Sequence, residues 1–468
     1  MPINSFLYPG AKTTPAYEVA NSCRFNRGDS AYMHKTPSGA GNVDTWTFSA
    51  WIKISDEGTH RNIFSQTGGS GTSQRTYILL NSSNDLYISQ YDGSSTNFAL
   101  ETNRKFRDQS AWMHIVVAVD TTQGTDSNRI KLYINGTQET SFSTSTYPSQ
   151  NLDTYVNSTN AMAVGYDTKV SSRHYGGYMA EVVLIDGTQL DATSFGEFDS
   201  DSPTIWKPID VSGLTFGTNG FYLNFEDSSN LGNDVNGGTD LTEVNLAAAD
   251  QATDTCTNNF CTLNPLYNIE GSYTLSEGNT IFTATGANDG TLGTIAVSSG
   301  KWYFEAEFDS VKEACYAGFA DVELINNVGT GNPITKFIGQ YRDDYAIQIG
   351  GSNDGAYTDV ANGDIFGFAI NLDANSGSKT VVIQKNGTTT DTVTIPTANE
   401  NNFFIPVVGD TTGGDPSGIL KCNFGGSPAV APSSAVADAN GFGSFEYNPT
   451  IGGVDYLAIC TKNLAEFG

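Results

Sequence analysis

The sequence predicts an all-β protein made of two tandem antiparallel β-sandwiches behind an extended N-terminal arm, and three observations carry that reading. Lys131-Leu132-Tyr133-Ile134 and Thr380-Val381-Val382-Ile383-Gln384-Lys385 are β-rich runs that each close on Asn-Gly, at Asn135-Gly136 and Asn386-Gly387. Both residue types tolerate the positive φ of a type I′ turn, which makes this pair the strongest short hairpin signal. Each run lies downstream of segments whose aromatic residues recur at every second position, and no long helical period interrupts them. The composition agrees: 468 residues carry 50 Gly and 11% aromatics, as expected of many short strands joined by tight turns.

Taken in order, residues 1–22 place Pro2, Pro9 and Pro15 among Tyr8 and Tyr17 and read as the arm. The first sandwich is expected over 23–200. In Trp46-Thr47-Phe48-Ser49-Ala50-Trp51-Ile52-Lys53-Ile54, the residues Trp46, Phe48, Ala50, Ile52 and Ile54 share a core face, while Thr47, Ser49, Lys53 and Ser55 point to a face expected to be wet. Trp112 to Asp120 is an almost unbroken apolar run, which marks a central strand covered on both sides. Residues 201–266 form a Gly/Asn-rich bridge with closing strands, one of them at Gly220 to Phe225. The second sandwich is expected over 267–426, where Trp302, Phe304, Ala306 and Phe308 alternate with Tyr303, Glu305, Glu307 and Asp309, and Phe366, Phe368, Ile370 and Leu372 repeat the pattern. Residues 427–468 are a loop and a closing element.

Charge narrows the partners. The chain has 51 acidic and 23 basic residues, a formal charge of −28, so it repels nucleic-acid phosphates and anionic headgroups. Polysaccharide, protein or divalent cations suit it better. No apolar run is long enough to insert in a membrane, and no signal-peptide pattern opens the chain. The cysteines Cys23, Cys256, Cys261, Cys315, Cys422 and Cys460 lack metal-ligand or scaffold spacing and read as buried thiols.

The motifs of catalysis are missing. His34, His60, His114 and His174 show no H-E-x-x-H spacing, and neither a nucleophile elbow nor a phosphate loop is present. Glu305, Glu307 and Asp309 share one side of a strand, where glycosidase carboxylates can be imagined, but acidic residues on the solvent face of an amphipathic strand are ordinary. Arg27-Gly28-Asp29 reads as a turn before a strand. Within Glu226 to Asp234, the oxygen-bearing Asp227, Asn230, Asn233 and Asp234 are closely spaced in a Gly-containing loop, the donor type that Ca²⁺ takes, and an Asx-rich turn is the competing reading. No other cofactor is indicated.

Cys23-Arg24-Phe25-Asn26, Trp46 to Lys53, Trp112-Met113-His114-Ile115-Val116-Val117, Lys131 to Thr137 and Gly177 to Val182 together resemble the laminin-G-like (concanavalin A-like lectin/glucanase) domain. Gly300 to Glu305, Gly318-Phe319-Ala320, Gly363 to Gly367 and Lys385-Asn386-Gly387 resemble a SPRY domain. The segment Cys261-Thr262-Leu263-Asn264 is matched in type by Cys460-Thr461-Lys462-Asn463, so Cys-Thr-x-Asn follows each expected sandwich. The combination resembles virion proteins of tailed bacteriophages, especially marine ones, described as tail fibres or receptor-binding proteins. The resemblance implies a concanavalin A-like jelly roll followed by a SPRY-like sandwich, assembly in a host cytoplasm, a place on the virion surface and a homo-oligomer, a trimer first of all. The calcium-ligand pattern and the glucanase carboxylates of the sandwich family are not matched.

The expected function is non-enzymatic adhesion to host-surface polysaccharide or protein through sandwich loops, with the arm holding other virion proteins. Aromatic faces stack on sugar rings while Asn and Asp bind hydroxyls. Tyr91, Asp92 and Asn97 in the first sandwich and Tyr341, Asp343 and Tyr345 in the second are the candidate glycan-binding residues. A head-decoration or tail-surface fibre is the alternative, and a glycan depolymerase comes third.

Overall fold

The computed structural model describes residues 17–69, 73–268, 272–286, 288–310, 315–326, 336–341, 346–347, 349, 353–354, 358–373, 378–411 and 418–468. The first sandwich is built from β1 (Ser22–Phe25), β2 (Tyr32–Lys35), β3 (Thr45–Ile54), β4 (Arg61–Thr67), β5 (Arg75–Leu80), β6 (Asp85–Tyr91), β7 (Thr96–Lys105), β8 (Met113–Asp120), β9 (Ile130–Ile134), β10 (Thr137–Glu139), β11 (Phe142–Thr146), β12 (Met162–Val164) and β13 (Gly177–Asp186). One sheet runs β10-β9-β8-β3-β13-β1 and the other β11-β7-β6-β5-β4-β12-β2. The segment expected as a bridge completes both: Gln251–Ala252 extends the first sheet beyond β1, Phe221–Leu223 pairs with β13, and Thr242–Val244 extends the second beyond β2.

The period-two pattern decides which side chains meet between the sheets. Trp46, Phe48, Ala50, Ile52 and Ile54 pack against Phe64, Ile78, Ile88 and Leu100, with the Phe48 and Phe64 rings stacked at 5.0 Å. The opposite face of β3 differs from the expectation. Thr47, Ser49 and Lys53 are buried, because Phe195, Trp206, Val211 and Phe216 from the following chain lie over this sheet with Trp51, Val116 and Val183. His114 is enclosed there, stacked on Trp51 at 4.8 Å. Trp206 Nε1 donates to its Nδ1 at 3.0 Å, which leaves Nε2–H to donate to Ser49 Oγ at 2.8 Å.

Both Asn-Gly pairs turn as expected. Asn135 and Gly136 have φ of 46° and 76°, and Asn386 and Gly387 have 49° and 76°. A Cβ on Gly136 would lie 2.2 Å from the Trp206 ring. Gly136→Ala is therefore expected to destabilise the first sandwich by about 1–2 kcal/mol from the left-handed backbone alone, with a further loss from displacing Trp206, measurable by denaturant titration.

In the second sandwich, one sheet orders Tyr273–Ser276, Ile281–Ala284, Ile419–Asn423, Lys301–Ser310, Asp364–Asn371, Thr380–Lys385 and Thr388–Thr394. The facing sheet centres on Phe404–Asp410, Cys315–Asp321 and Phe337–Tyr341. Phe304 is the centre of the core, 5.2 Å from both Phe319 and Phe368. The C-terminal segment belongs to this sandwich: Leu457–Ala458 runs parallel to Lys301–Ser310, and the helix Thr461–Phe467 follows.

The two Cys-Thr-x-Asn segments lie against each other at the seam between the sandwiches. Phe260 bridges Cys460, Cys261 N donates to Ile459 O at 2.9 Å, and Thr461 N donates to Asn259 O at 2.9 Å. Arg24, 2% exposed, pairs with Asp250 at 3.1 Å and Glu277 at 3.0 Å, and Tyr178 Oη donates to Gly278 O at 2.9 Å. Residues 17–22 of the expected arm pack on the same region: Tyr17 Oη donates to Glu181, and Glu18 pairs with Lys462. All six cysteines are thiols, five of them buried. No helix among the described residues is long and apolar enough to cross a membrane.

Candidate functional site

Alternation in β5 and β6 sends Ile78, Leu80, Leu86 and Ile88 into the core, so Arg75, Tyr77, Leu79, Tyr87 and Tyr91 fall on the outer face of the second sheet. Register sets their neighbours. Arg75 lies opposite Tyr91 and Leu79 opposite Tyr87, which makes Tyr77 and Tyr87 diagonal partners with rings 5.8 Å apart. The Arg75 guanidinium sits 4.8 Å from the Tyr77 ring centre and 5.7 Å from that of Tyr91, and Arg173 approaches Tyr77 at 5.8 Å. Fully buried Asp167 fixes both cations, accepting from Arg75 Nε and Arg173 Nη1 at 3.1 Å each. Tyrosine rings are thus held flanked by two arginines on a chain that is otherwise strongly acidic.

Beside these rings is a cavity of about 300 Å³ that reaches Asn81, Glu101, His60 and Arg173. Glu101 accepts from Asn81 Nδ2 at 2.7 Å and from Thr144 Oγ1 at 3.1 Å. Burial, then Arg173, Arg27 and Arg61, lower the His60 pKa, and its Nδ1 accepts from Ser82 N at 3.1 Å. Tyr77 is 8% exposed, so the ring surface offered to the cavity is mainly that of Tyr87, beside the Glu101 carboxylate, the Asn81 amide and the Arg173 guanidinium. Such a set stacks on a ring and hydrogen-bonds its hydroxyls.

Of the expected glycan residues, Tyr91 stands at the edge of this face. Asp92 and Asn97 adjoin it but serve the turn. Asp92 accepts from Ser94 N at 2.8 Å, Ser95 N at 2.7 Å and Asn97 Nδ2 at 3.2 Å, and the backbone and hydroxyl hydrogen bonds from Ser95 and Ser94 hold its carboxyl well below the usual range. Tyr341 lies in the other sandwich, half-buried, sharing a hydrogen bond with Thr411 Oγ1 at 2.9 Å. Asp343 and Tyr345 lie outside the described residues. Sequence reasoning passed over Tyr77, Tyr87 and Arg75, although their position on the outer phase of two alternating strands was the available signal.

Of the four expected calcium ligands, Asp227, Asn230 and Asp234 use side-chain atoms in hydrogen bonds, and Asp234 Oδ2 is buried without a hydrogen-bond partner. Asp227 accepts from Ser229 N at 2.9 Å, Asn230 Nδ2 donates to Asp240 at 2.9 Å, and Asn233 N donates to Asn230 O at 3.1 Å. Asp234 is 3% exposed and accepts from Tyr222 N at 3.0 Å, and burial raises its pKa. Among the described residues no three His, Cys, Asp or Glu side chains are placed to share a metal. These donors fit turn capping, and no role is derived for calcium at them.

The acidic side of Lys301–Ser310 is not the open face expected. Glu305 is 2% exposed, roofed by the C-terminal segment, and accepts from Glu446 N at 2.9 Å, Tyr447 N at 2.8 Å, Asn423 Nδ2 at 3.0 Å and Tyr303 Oη at 3.1 Å. Burial pushes its pKa up to about 7 against the pull of those donors. Glu307 and Asp309 instead share Lys421, at 3.4 and 2.6 Å.

Residues 27–192 match the family model described as the concanavalin A-like lectin/glucanases superfamily. No curated protein matches the chain. Among solved structures, the chain is similar to the heptameric SAP-like pentraxin of Limulus polyphemus, at 15% identity over 37% of this chain and 80% of the other with a TM-score of 0.29. It is also similar to domains LG4-5 of the mouse laminin α1 chain, at 9% identity over 90% and 92% with a TM-score of 0.30. A third likeness is to the SPRY domain of human HERC1, at 15% identity over 34% and 96% with a TM-score of 0.25. Residues 27–192, in the first sandwich, thus match the concanavalin A-like lectin/glucanases superfamily, and a second antiparallel sandwich follows.

Proposed function

We propose that the protein is a non-enzymatic adhesin that binds glycan on the outer face of β5 and β6, and that it works as a fibre or receptor-binding protein on the surface of a tailed-phage virion. The observation that carries the binding reading is the tyrosine face itself: Tyr77, Tyr87 and Tyr91 with Arg75 and Arg173 held against their rings by buried Asp167. The lectin-type match over residues 27–192 supports it. The virion role rests on the pairing of the two domain types and on the Cys-Thr-x-Asn segments.

The test is binding of the full chain to intact bacterial cells and to a glycan array, with sugar release followed in parallel. Saturable binding without release is expected. Tyr77→Ala combined with Tyr87→Ala is expected to weaken it by about fivefold or more, since each lost stacking contact is worth about 0.5–1.5 kcal/mol, while circular dichroism stays unchanged. Released sugar would point instead to a depolymerase. Absence of binding, with the protein present on particles, would point to a decoration fibre.

A further inference from the structure

A second cavity, of about 390 Å³, opens where the two sandwiches meet. The first sandwich supplies a polar wall, with Asp56 and Glu57 from the loop after β3 and Gln109 from the loop before β8. The second supplies Tyr273 and Leu275, with Asn279 at the border.

Gln109 is only 3% exposed. Its Oε1 accepts from Asn279 Nδ2 at 3.4 Å, and its Nε2 has no hydrogen-bond partner. On the same wall Asp56 holds Arg27 Nε through Oδ2, while its Oδ1 has no hydrogen-bond partner and lies 3.9 Å from Arg61 Nε. Buried polar groups are nearly always satisfied, so a donor and an acceptor left open beside one cavity call for an occupant. That occupant must accept from Gln109 and donate to Asp56, which a hydroxyl does in both directions. Opposite, the single proton of the Tyr273 hydroxyl is already used, donated to Tyr267 O at 2.6 Å with Asn264 O at 3.2 Å, so Tyr273 and Leu275 present apolar surface.

We infer that this cleft is a second binding site, for a neutral sugar whose hydroxyl edge meets Gln109, Asp56 and Glu57 and whose C–H face lies on Tyr273 and Leu275. The two carboxylates disfavour acidic sugars. Because each sandwich provides one wall, the site exists only while the two are docked, and its occupancy holds them together.

The test is calorimetric titration of the full chain with glucose, galactose, mannose and cellobiose, in a Tyr77→Ala/Tyr87→Ala background that removes the tyrosine face. One of these sugars is expected to bind with a stoichiometry of one. Gln109→Leu should weaken that binding at least tenfold and Glu57→Ala, on an exposed loop, several-fold. Gln109→Leu gives up only the long contact with Asn279 Nδ2, so its circular dichroism should be unchanged and its melting temperature should fall by no more than a few degrees, which separates lost binding from lost folding. No heat with any of the four sugars, or equal binding by Gln109→Leu, overturns the inference. Sugar binding retained in the tyrosine-face variant separates this site from the one on β5 and β6.

Discussion

Replacing Asp254 with alanine is expected to cost about 3–5 kcal/mol of unfolding free energy, because it leaves a buried ammonium without its counter-charge. Lys53 and Asp254 are each 1% exposed and 2.7 Å apart. Lys53 Nζ also donates to Asn259 Oδ1 at 2.7 Å and Phe260 O at 3.2 Å, which exhausts its three protons. Asp254 Oδ1 accepts from Trp112 Nε1 at 2.9 Å, and its main-chain oxygen accepts from Ser22 Oγ at 2.6 Å. The pair therefore ties β1, β3 and the start of β8 to the segment that leads into the second sandwich. Lys53→Met should cost a similar amount, and Lys53→Met/Asp254→Leu clearly less than the sum, since an apolar pair leaves no charge unmatched. Urea titrations followed by tryptophan fluorescence measure all three. Loss of the tie should also split unfolding into separate transitions for the two sandwiches, where the wild type unfolds in one.

The second large effect is an unusual dependence of stability on pH. Glu181 sits in a bulge of β13 with a φ of 50°, accepting from Tyr222 Oη at 2.7 Å and Tyr17 Oη at 3.0 Å. Burial pushes its pKa up to about 7, as it does that of Glu305. A carboxyl whose folded pKa lies above its unfolded one lends stability that is fully present below about pH 4.5 and is lost as pH rises through about 7. His114 acts in the opposite sense. Burial lowers its pKa to about 3, so the neutral ring lends stability that is present above about pH 6.5 and is lost as pH falls toward 3. Among these three groups the two carboxyls outweigh the imidazole between about pH 5 and 7, so together they lower stability as pH rises through that range. Each carboxyl is worth on the order of 3 kcal/mol. Glu181→Gln, which keeps an acceptor for the tyrosines without a charge, should raise stability at pH 8 and flatten the fall between pH 5 and 7. Thermal melts across pH 3 to 9 check it, and an unaltered curve in Glu181→Gln would reject the assignment.

What the sequence disclosed was local. Asn135-Gly136 and Asn386-Gly387 specify their turns through their own backbone preferences, and the alternation in Trp46–Ile54 identifies two faces without help from distant residues. It does not say what covers the second face. Ser49 and Lys53 look solvated until Trp206 and Asp254, far along the chain, are placed over them, and Glu305 looks exposed until residues 444–447 return. The strand at 221–223 was legible within Gly220 to Phe225, whereas those at 242–244 and 251–252 are too short to show a period, and the sheet each one joins is set by distant residues. The site divides the same way. Tyr77 and Tyr87 stood on the outer phase of readable strands, whereas Asp167 and Arg173, which set the charge beside them, come from a loop that only the fold brings near. The loop residues preferred instead, Asp92 and Asn97, have the right chemistry but spend it on closing their own turn.

The pairing of Glu18 with Lys462 has a mechanical consequence. The described chain enters and leaves at one point on the seam, so tension applied through either end reaches the same place. From Tyr17 it passes into β1, which is hydrogen-bonded along both edges, to β13 and to Gln251–Ala252. A pull along that strand loads Cys23↔Met179, Arg24↔Tyr178 and Phe25↔Gly177 in shear and all at once, instead of peeling them one by one. The tyrosine face belongs to the other sheet, so a load between that face and the seam crosses the core through Trp46, Phe48 and Ile52. A molecule held in this way yields late and abruptly under force.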